Sequence, residues 1–317
     1  MCGLFGFSNY GNKPIKGLSA ITNSLAEEST IRGKDATGIA YCSSGSISVL
    51  KESKPAYKLD FKHPENITAL TGHTRHSTQG SEKKNYNNHP FIGRMGKSRF
   101  ALAHNGVLYN DRELRRELKL PKTKIETDSY IAVQLIESRK SLNFDSIKYM
   151  AEKIEGSFSF SILDDENSIY LVKGDSPLSI LHFPKRKLYA YASTDEILYR
   201  ALIETPLFDD LKEGEFEQVH IRDGDIFKFC STGKIEKGKF DYRTYYGRAW
   251  WDYGAYSSYE FGTEENRSYI DDLKSIASLH GYTPECIDEL IGEGFTYDEI
   301  EEYLYGYYDY REEMLAM

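Results

Sequence analysis

Short apolar runs alternate with longer segments of helical period through the first half of the chain. Residues 2–9 carry four apolar side chains and two glycines, which predicts a short buried strand. Residues 15–25 have apolar side chains three and four positions apart, which predicts a helix after Pro14. Residues 39–41 and 46–50 predict a strand and its hairpin partner. Three more helices are expected at residues 112–118, 129–138 and 144–154.

The sequence pattern changes at Gly156, after which apolar and polar residues alternate with the period of two that is typical of strands. Turns rich in Gly, Asp and Lys separate these segments. The expected strands cover residues 158–162, 169–173, 178–183, 188–192, 219–229 and 235–240. Strands, then helices, then strands again predict two antiparallel sheets with helices outside them, an α+β layered fold.

Two polar stretches stand out from this pattern. Residues 71–80, Thr-Gly-His-Thr-Arg-His-Ser-Thr-Gln-Gly, are rich in hydrogen-bonding groups and are unlike a structural strand because they have few apolar side chains. Residues 100–103 form an expected strand that runs directly into His104-Asn105-Gly106. An Asn-Gly pair is most often a hairpin turn, so this sequence alone leaves open both a turn and a functional role.

Composition places the chain among globular proteins. It has 317 residues, of which 40% are hydrophobic and 28% charged. It has no apolar run of membrane-spanning length and no secretory signal at its start, so we expect no membrane contact. The four cysteines, Cys2, Cys42, Cys230 and Cys286, are too scattered for a metal hairpin, and they favour a reducing, cytoplasmic location.

The net charge of −9 is unevenly distributed. Residues 241–317 hold 5 Lys and Arg against 18 Asp and Glu, whereas residues 1–240 hold 35 against 31. Acidity in the last segment argues against nucleic-acid binding there, because phosphates would be repelled. The shift also suggests a boundary near residue 240.

A short internal repeat lies in the acidic segment. Residues 281–291 align with residues 294–304, and Thr283 and Thr296 are expected helix N-caps. With a helix expected at 268–279, the pattern predicts a small acidic helical domain at residues 266–317. Residues 241–265 form a Tyr-rich linker or arm. Two roles stay open for the helical domain: a folded appendage, or a docking module for a partner such as a synthase subunit supplied in trans.

Cys2 directly follows the initiator Met1, which we expect to be trimmed. The mature chain would then begin with a thiol and a free α-amine on one residue. An α-amine has a pKa of roughly 8 and can accept the thiol proton near neutral pH. Nucleophile and base would therefore belong to the same residue. The plain alternative is a start codon that happens to precede Cys.

Several short motifs recur along the first 130 residues. They are Cys2-Gly3, Arg32-Gly33 through Gly38, Gly72-His73-Thr74-Arg75 with Thr78 and Gly80, Asn88-His89-Pro90, His104-Asn105-Gly106 and Thr127-Asp128. Together these motifs resemble the class II glutamine amidotransferase domain, the glutaminase half of enzymes such as glucosamine-6-phosphate synthase and glutamine phosphoribosylpyrophosphate amidotransferase. The resemblance covers residues 2–240 and implies the αββα sandwich of N-terminal nucleophile hydrolases. Lys34 and His76-Ser77 depart from the family's usual residues beside the substrate pocket.

The resemblance implies a role for each reacting group. Cys2 would attack the side-chain amide of L-glutamine and form a thioester, with its own α-amine moving the proton. The Asn105 side chain and the Gly106 backbone N–H would form the oxyanion hole. The products would be glutamate and ammonia, with the ammonia passed to an acceptor or partner synthase.

Free glutamine has two further charges to be recognised. The guanidinium of Arg75 can hold the α-carboxylate through two parallel hydrogen bonds, with the hydroxyl of Thr78 nearby. Asp128 can pair with the α-ammonium, although Asp before a helix is also a common N-cap. Arg32 and Asp35 are interpreted as an ion pair or loop support near Cys2.

Other interpretations of the same residues are weaker. His73, His76, His89 and His104 look like a metal cluster, but the resemblance makes them structural or pocket-lining, so we expect neither a metal nor a cofactor. Two alternatives to glutamine hydrolysis are an amidase acting on another γ-glutamyl or small amide substrate, and a non-enzymatic regulator with the same fold.

Overall fold

The computed structural model describes residues 2–11, 15–43, 45–203, 205–242, 270, 273–274, 277–278, 282–292 and 300. The chain divides into two compact units, Met1–Gly247 and Arg248–Met317. None of the helices in these described ranges is long and apolar enough to cross a membrane.

Thirteen strands are found in the larger unit across its described residues. They are β1 (Gly3–Asn9), β2 (Ala36–Ser43), β3 (Ser46–Glu52), β4 (Ala69–Arg75), β5 (Phe91–Met95), β6 (Ser98–Leu108), β7 (Gly156–Asp164), β8 (Ile169–Lys173), β9 (Ser179–Phe183), β10 (Leu188–Ala192), β11 (Glu217–Gln218), β12 (Asp225–Phe229) and β13 (Ile235–Lys239). The first sheet has the order β11-β9-β10-β1-β4-β2-β3, and the second sheet has the order β13-β12-β8-β7-β6-β5. Neighbouring strands are antiparallel, for example β1 with β4 and β6 with β7.

Helices cover the outer faces of both sheets. They are α1 (Leu18–Glu28), α2 (Asp111–Glu117), α3 (Tyr130–Ser138), α4 (Phe144–Lys153), α5 (Asp195–Ile203) and α6 (Phe208–Lys212). One apolar cluster joins α1 and α5 to the first sheet, and a second joins α3 and α4 to the second sheet. A third cluster lies between the sheets. The predicted α+β fold of two antiparallel sheets with outer helices is therefore confirmed as a four-layer αββα sandwich.

The observed starts of the helices agree only in part with those expected from the sequence. Helix α4 begins after Asn143, whose side chain accepts from the Ser146 N–H while the Ser146 hydroxyl accepts from the Asn143 N–H. Helix α1 begins at Leu18, three residues later than expected, because Gly17 precedes it with a φ of +82°. Helix α2 begins one residue earlier than expected, at Asp111, whose carboxylate pairs with Arg115 at 3.2 Å.

The prediction that residues 71–80 are unlike a structural strand is wrong for its first half. Residues 69–75 form β4, which lies between β1 and β2, and every residue of it is buried. The polar side chains are tolerated because each finds a partner inside the protein. Thr71 donates to Ser161 at 2.8 Å, and Thr74 donates to the Ser29 carbonyl at 2.7 Å.

Residues 195–229 also differ from expectation. No element was expected between residues 192 and 219, but this segment contains α5 and α6. The apolar residues Ile197, Leu198, Ala201 and Leu202 of α5 are buried. The strand expected at 219–229 is restricted to β12, which begins at Asp225. Residues 219–224 instead connect β11 of the first sheet to β12 of the second.

The smaller unit contains one continuous described helix, α7 (Pro284–Gly292), which begins directly after Thr283, the expected N-cap. Leu273, Ala277, Ile287 and Ile300 are buried together in a small core. Ile287 and Ile300 hold the same position in the two copies of the repeat, so the repeat supplies one core residue from each copy. The expected arm at 241–265 and most of the second repeat copy lie outside the described residues.

A buried chain of hydroxyl groups crosses the layer between the two sheets. Thr71 of β4 donates to Ser161 of β7, Ser161 lies 2.6 Å from the Tyr191 hydroxyl, and Tyr191 donates to the Leu70 carbonyl at 3.4 Å. Burial raises the pKa of Tyr191 to about 12, so its proton stays available for donation at neutral pH. The chain of hydroxyls satisfies polar groups that would otherwise be buried without partners.

Replacing Tyr191 by Phe is expected to lower the free energy of unfolding by about 1–2 kcal/mol, because Ser161 then loses its buried acceptor. Denaturant unfolding of Tyr191→Phe measures this loss. Tyr57→Phe is the matched control, since Tyr57 is 53% exposed and should be neutral. Equal stability of the two variants would contradict a stabilising role for the hydroxyl chain.

Candidate active site

Cys2 lies immediately before the central strand β1, beside the end of β4. Gly3 of β1 pairs with Thr74 of β4, so Cys2 is adjacent to the peptide that links Arg75 to His76. The Cys2 sulfur accepts from the His76 N–H at 3.4 Å and donates to the His76 carbonyl at 3.5 Å. Arg32 donates its Nε–H to the Cys2 carbonyl at 2.9 Å. Both the thiol and the main chain of Cys2 are therefore held by protein groups.

Glycine is required where the backbone segments around Cys2 meet. A Cβ on Gly33 would lie 2.4 Å from the carbonyl carbon of Arg75, and a Cβ on Gly3 would lie 2.6 Å from the Thr74 hydroxyl. Asp35 supports the same segment, because its carboxylate accepts from the Ser77 N–H at 2.7 Å. Arg32 and Asp35 thus both contact the neighbourhood of Cys2, in line with the loop-support interpretation.

The thiol environment favours the neutral form. Burial raises the pKa of the Cys2 thiol, and the His76 N–H and the Arg75 cation offset that rise only in part. A neutral thiol is a weak nucleophile. Attack by Cys2 therefore requires a base close to the sulfur.

Asn105 and Gly106 lie inside β6 and do not form a hairpin turn. They pair with Ser159 and Phe158 of β7. Gly106 has a φ of +135°, and a Cβ there would lie 2.0 Å from the Ser157 carbonyl oxygen, so only glycine fits. The Asn105 side chain is 1% exposed, and neither its oxygen nor its nitrogen has a hydrogen-bond partner among the described residues. A buried amide without partners is costly and points to a ligand group.

A histidine links the two sheets at this end. The His73 ring of β4 lies 2.8 Å from the His104 carbonyl of β6, which directly precedes Asn105. Burial lowers the pKa of His73 to about 3, so the ring is neutral and donates through Nε2. This bond fixes β6 against β4, and β4 in turn pairs with β1. Cys2 and Asn105 therefore belong to the same end of the layer between the sheets.

The remaining histidines of the expected cluster are packing groups or surface groups. The His89 ring lies 4.1 Å from the His73 ring and 4.3 Å from the Phe91 ring, centroid to centroid. His104 contacts the Ser129 hydroxyl at 2.8 Å. Burial lowers the pKa of His89 and of His104. His76 is exposed, and no set of described residues has the grouping needed to hold a metal ion.

Arg75 is 2% exposed and its guanidinium is engaged by the protein. Nη1 donates to the Asn88 side chain at 2.7 Å, and Nη2 donates to the carbonyls of Gln79 and Gly80 at 2.7 and 2.6 Å. A guanidinium can bind a carboxylate through two parallel hydrogen bonds along either of two edges, Nη1 with Nη2 or Nε with Nη2, and both edges include Nη2. A bidentate bond to an α-carboxylate is therefore possible only after Nη2 releases a loop carbonyl.

Loop 76–80 is also attached to the segment that precedes Asp128. Gln79 donates to the Glu126 carbonyl at 2.9 Å. The Glu126 carboxylate accepts from Lys84 at 2.6 Å and from Asn87 at 2.8 Å. Glu126 and Asn87 were not identified from the sequence. Their only sequence signal is proximity to the Asn88 and Asp128 motifs.

Asp128 and Thr78 occupy different environments. Asp128 is 2% exposed, and its carboxylate accepts from the Leu108 N–H at 2.7 Å and the Ser129 hydroxyl at 3.3 Å. It does not cap α3, whose preceding residue is Ser129. The carboxylate instead joins the end of β6 to the start of α3, close to Asn105 along the strand. Thr78 is exposed on loop 76–80.

Lys51 of β3 is a charged neighbour of Arg75 that sequence analysis missed. Its Nζ donates to the carbonyls of Asn88 and Pro90 at 2.6 and 3.3 Å. Burial, together with the Arg75 cation, lowers the pKa of Lys51 to about 8. Because Asn88 also accepts from Arg75, Lys51 supports the residue that positions the guanidinium.

Lys51 is expected to make stability increase with pH between about 8 and 10.5. Its pKa is depressed in the folded state from an ordinary value of 10.5, so the unfolded chain binds more protons in this window. The gain is at most about 1.4 kcal/mol per pH unit. Between pH 8 and 10 the unfolding free energy should rise more with pH, or fall less, in wild type and in Lys54→Met than in Lys51→Met, which lacks the contribution of Lys51. The same slope in all three proteins would rule out Lys51 as its source.

Comparison with known proteins agrees with this geometry. Residues 73–200 match the family model described as a glutamine amidotransferase domain. The glutamine--fructose-6-phosphate aminotransferase [isomerizing] of Staphylococcus epidermidis is 34% identical over 193 residues, which are 57% of this chain and 30% of that protein. The Staphylococcus aureus Mu50 protein of the same name is 34% identical over 194 residues, with 56% and 30% covered. The chain thus spans about a third of the length of these curated relatives.

A solved structure shares the fold at lower sequence identity. The glutamine phosphoribosylpyrophosphate amidotransferase of B. subtilis superposes with a TM-score of 0.60 at 19% identity, over 77% of this chain and 50% of that chain. The chain thus shares the layered fold of that structure. Residues 73–200 carry a glutamine amidotransferase domain, as the motifs predict.

Proposed function

We propose that this protein hydrolyses the side-chain amide of L-glutamine to glutamate and ammonia, with Cys2 as the nucleophile. The observation that carries the proposal is the buried Asn105 amide without described partners, next to Gly106 and at the same end of the sheet interface as Cys2. An amide oxygen that gains negative charge needs donors of this kind.

The reaction requires that Met1 be removed. The α-amine of Cys2 then takes the thiol proton, and the sulfur forms a bond to the amide carbon of glutamine. The Asn105 side-chain N–H and the Gly106 N–H stabilise the oxyanion of the tetrahedral intermediate. The protonated amine gives its proton to the departing nitrogen, which leaves as ammonia. Water, activated by the same amine, then hydrolyses the thioester to release glutamate.

Asp128 and Arg75 provide the charges for the amino-acid head group. The Asp128 carboxylate accepts only one strong hydrogen bond, from Leu108, and can accept further donors from an α-ammonium. Arg75 can receive the α-carboxylate when Nη2 exchanges the Gln79 or Gly80 carbonyl for it. Thr78, on the same loop, would approach the carboxylate with this exchange.

We also propose the domain assignment and the fate of the ammonia. Residues 2–240 would form the glutaminase domain, 241–265 a linker or arm, and 266–317 an acidic helical domain that docks a synthase supplied in trans. The support for this division is the concentration of acidic residues after residue 240. The four free cysteines favour a cytoplasmic setting for the reaction.

One observation favours a second candidate, an amidase acting on another small amide. The Arg75 donors that would recognise an α-carboxylate are occupied by loop carbonyls. A substrate without an α-carboxylate would leave those bonds intact. The two candidates share Cys2, Asn105 and Gly106, and they differ in what Arg75 does.

Cys2→Ala is expected to abolish ammonia release from glutamine, because no other thiol lies at the proposed oxyanion hole. A coupled ammonia assay measures the rate, and circular dichroism checks that the fold is retained. Cys230→Ala is the control, since Cys230 lies at the end of β12 outside the site and should keep wild-type activity. Release near the wild-type rate by Cys2→Ala, or by chain whose intact mass still includes Met1, would refute the proposed mechanism.

Two truncated amides separate the proposed roles of Arg75 and Asp128. 4-Aminobutanamide lacks the α-carboxylate, and glutaramic acid lacks the α-ammonium. Arg75→Lys should lower kcat/KM for glutamine by at least tenfold while changing that for 4-aminobutanamide little. Asp128→Asn should lower kcat/KM for glutamine in the same way but spare glutaramic acid. If Arg75→Lys affected all three amides equally, Arg75 would be a loop support and the second candidate would be favoured.

A further inference from the structure

A basic cleft lies at the edge of the second sheet, away from Cys2. It forms where the connection from β11 meets the β12–β13 hairpin, and its volume is about 480 Å³, within the range of small-molecule sites. Its lining residues are His220, Arg222, Asp225, Phe227, Lys237, Gly238 and Lys239. Four of these seven residues are basic and one is acidic.

The strand register places the charged groups on one face. Asp225 is opposite Lys239, and Phe227 is opposite Lys237, at alternate positions of β12 and β13. Phe227 belongs to the apolar cluster between the sheets, so these side chains are on the face that borders that layer. The Lys237 ammonium lies 4.6 Å from the centre of the Phe227 ring, which holds it over the floor of the cleft.

The charges in the cleft are only partly neutralised. Asp225 pairs with Lys239 at 3.3 Å and accepts from the Arg222 N–H at 3.0 Å. Within the described part of the chain, no carboxylate lies within 4 Å of the Arg222 guanidinium or the Lys237 ammonium. Leaving His220 aside, three cations and one carboxylate give the cleft a charge of +2. A dianion would balance it.

The cleft is separate from the proposed oxyanion hole, although a line of residues paired across neighbouring strands of the second sheet connects the two. Asn105 is opposite Ser159, Ser159 is opposite Lys173, and the pairing of Val172 with Ile226 places Lys173 opposite Asp225. Three strand steps of about 4.8 Å put Asp225 roughly 14 Å from Asn105. A ligand in the cleft would therefore neither contact Cys2 nor displace glutamine.

We propose that this cleft binds the phosphate group of a small phosphomonoester. A phosphomonoester carries nearly two negative charges at neutral pH, which matches the excess charge. The planar guanidinium of Arg222 can donate two parallel hydrogen bonds to phosphate oxygens, and Lys237 supplies a point charge. The volume leaves room for a sugar-sized body beside the phosphate.

Calorimetric titration of the full chain with glucose 6-phosphate, inorganic phosphate and glucose tests the proposal. Glucose 6-phosphate and phosphate should bind, and glucose should not. Arg222→Ala/Lys237→Ala should weaken binding of both anions at least tenfold. The matched control is Lys185→Ala/Lys234→Ala, which removes the same charge from two exposed lysines that pair with Glu215 and Glu236. This control should bind like wild type.

The proposal would be overturned if wild type bound neither anion at ligand concentrations up to about 10 mM. It would also be overturned if Arg222→Ala/Lys237→Ala bound the anions like wild type, or if both double variants lost binding equally. The last result would assign binding to overall charge. Glutamine hydrolysis is measured separately on the same proteins and should be unchanged in both variants. Loss of phosphate binding and loss of ammonia release are therefore distinguishable.

Discussion

The contact between the first residues of β1 and the end of β4 determines where every other candidate group can lie. Gly3 meets Thr74 and Gly33 meets the Arg75 peptide at distances that exclude a Cβ. Because the segments approach so closely, the backbone N–H and carbonyl of His76 contact the Cys2 sulfur. At this end the hydrogen bond from His73 to the His104 carbonyl joins the second sheet to the first, next to Asn105. A bulkier residue at either glycine would separate the sulfur from the groups around it.

Burial shifts the pKa values of the titratable groups around Cys2 and so determines their protonation at neutral pH. His73, His89 and His104 all have pKa values lowered by burial, so they act as neutral packing and hydrogen-bonding groups. Under the proposed reaction, Arg75 and Asp128 would bind the two charged groups of the amino-acid head. The thiol is also neutral, which is why the proposed reaction needs the amine that removal of Met1 would expose.

The local elements could be predicted where one sequence signal dominates. The apolar positions at residues 15–25 and 144–154 were enough to predict α1 and α4, although the Asn143 cap of α4 emerged only from the structure. The prediction failed for β4, because its polar residues find partners on segments 30 to 90 positions away, at His104 and Ser161. Short motifs predicted Cys2, Asn105 and Gly106 as candidate site residues. They could not identify Lys51 or Glu126, whose importance arises only from contacts made in the folded chain.

Arg75 connects substrate recognition to the position of the nucleophile under the proposed reaction. The same guanidinium that would hold the α-carboxylate now holds the carbonyls of Gln79 and Gly80. Those carbonyls belong to the loop that begins with His76, the residue in contact with the Cys2 sulfur. An α-carboxylate that takes over an Nη2 donor must therefore release part of loop 76–80. The release alters the backbone beside the thiol, so binding of the head group and preparation of the nucleophile become one event.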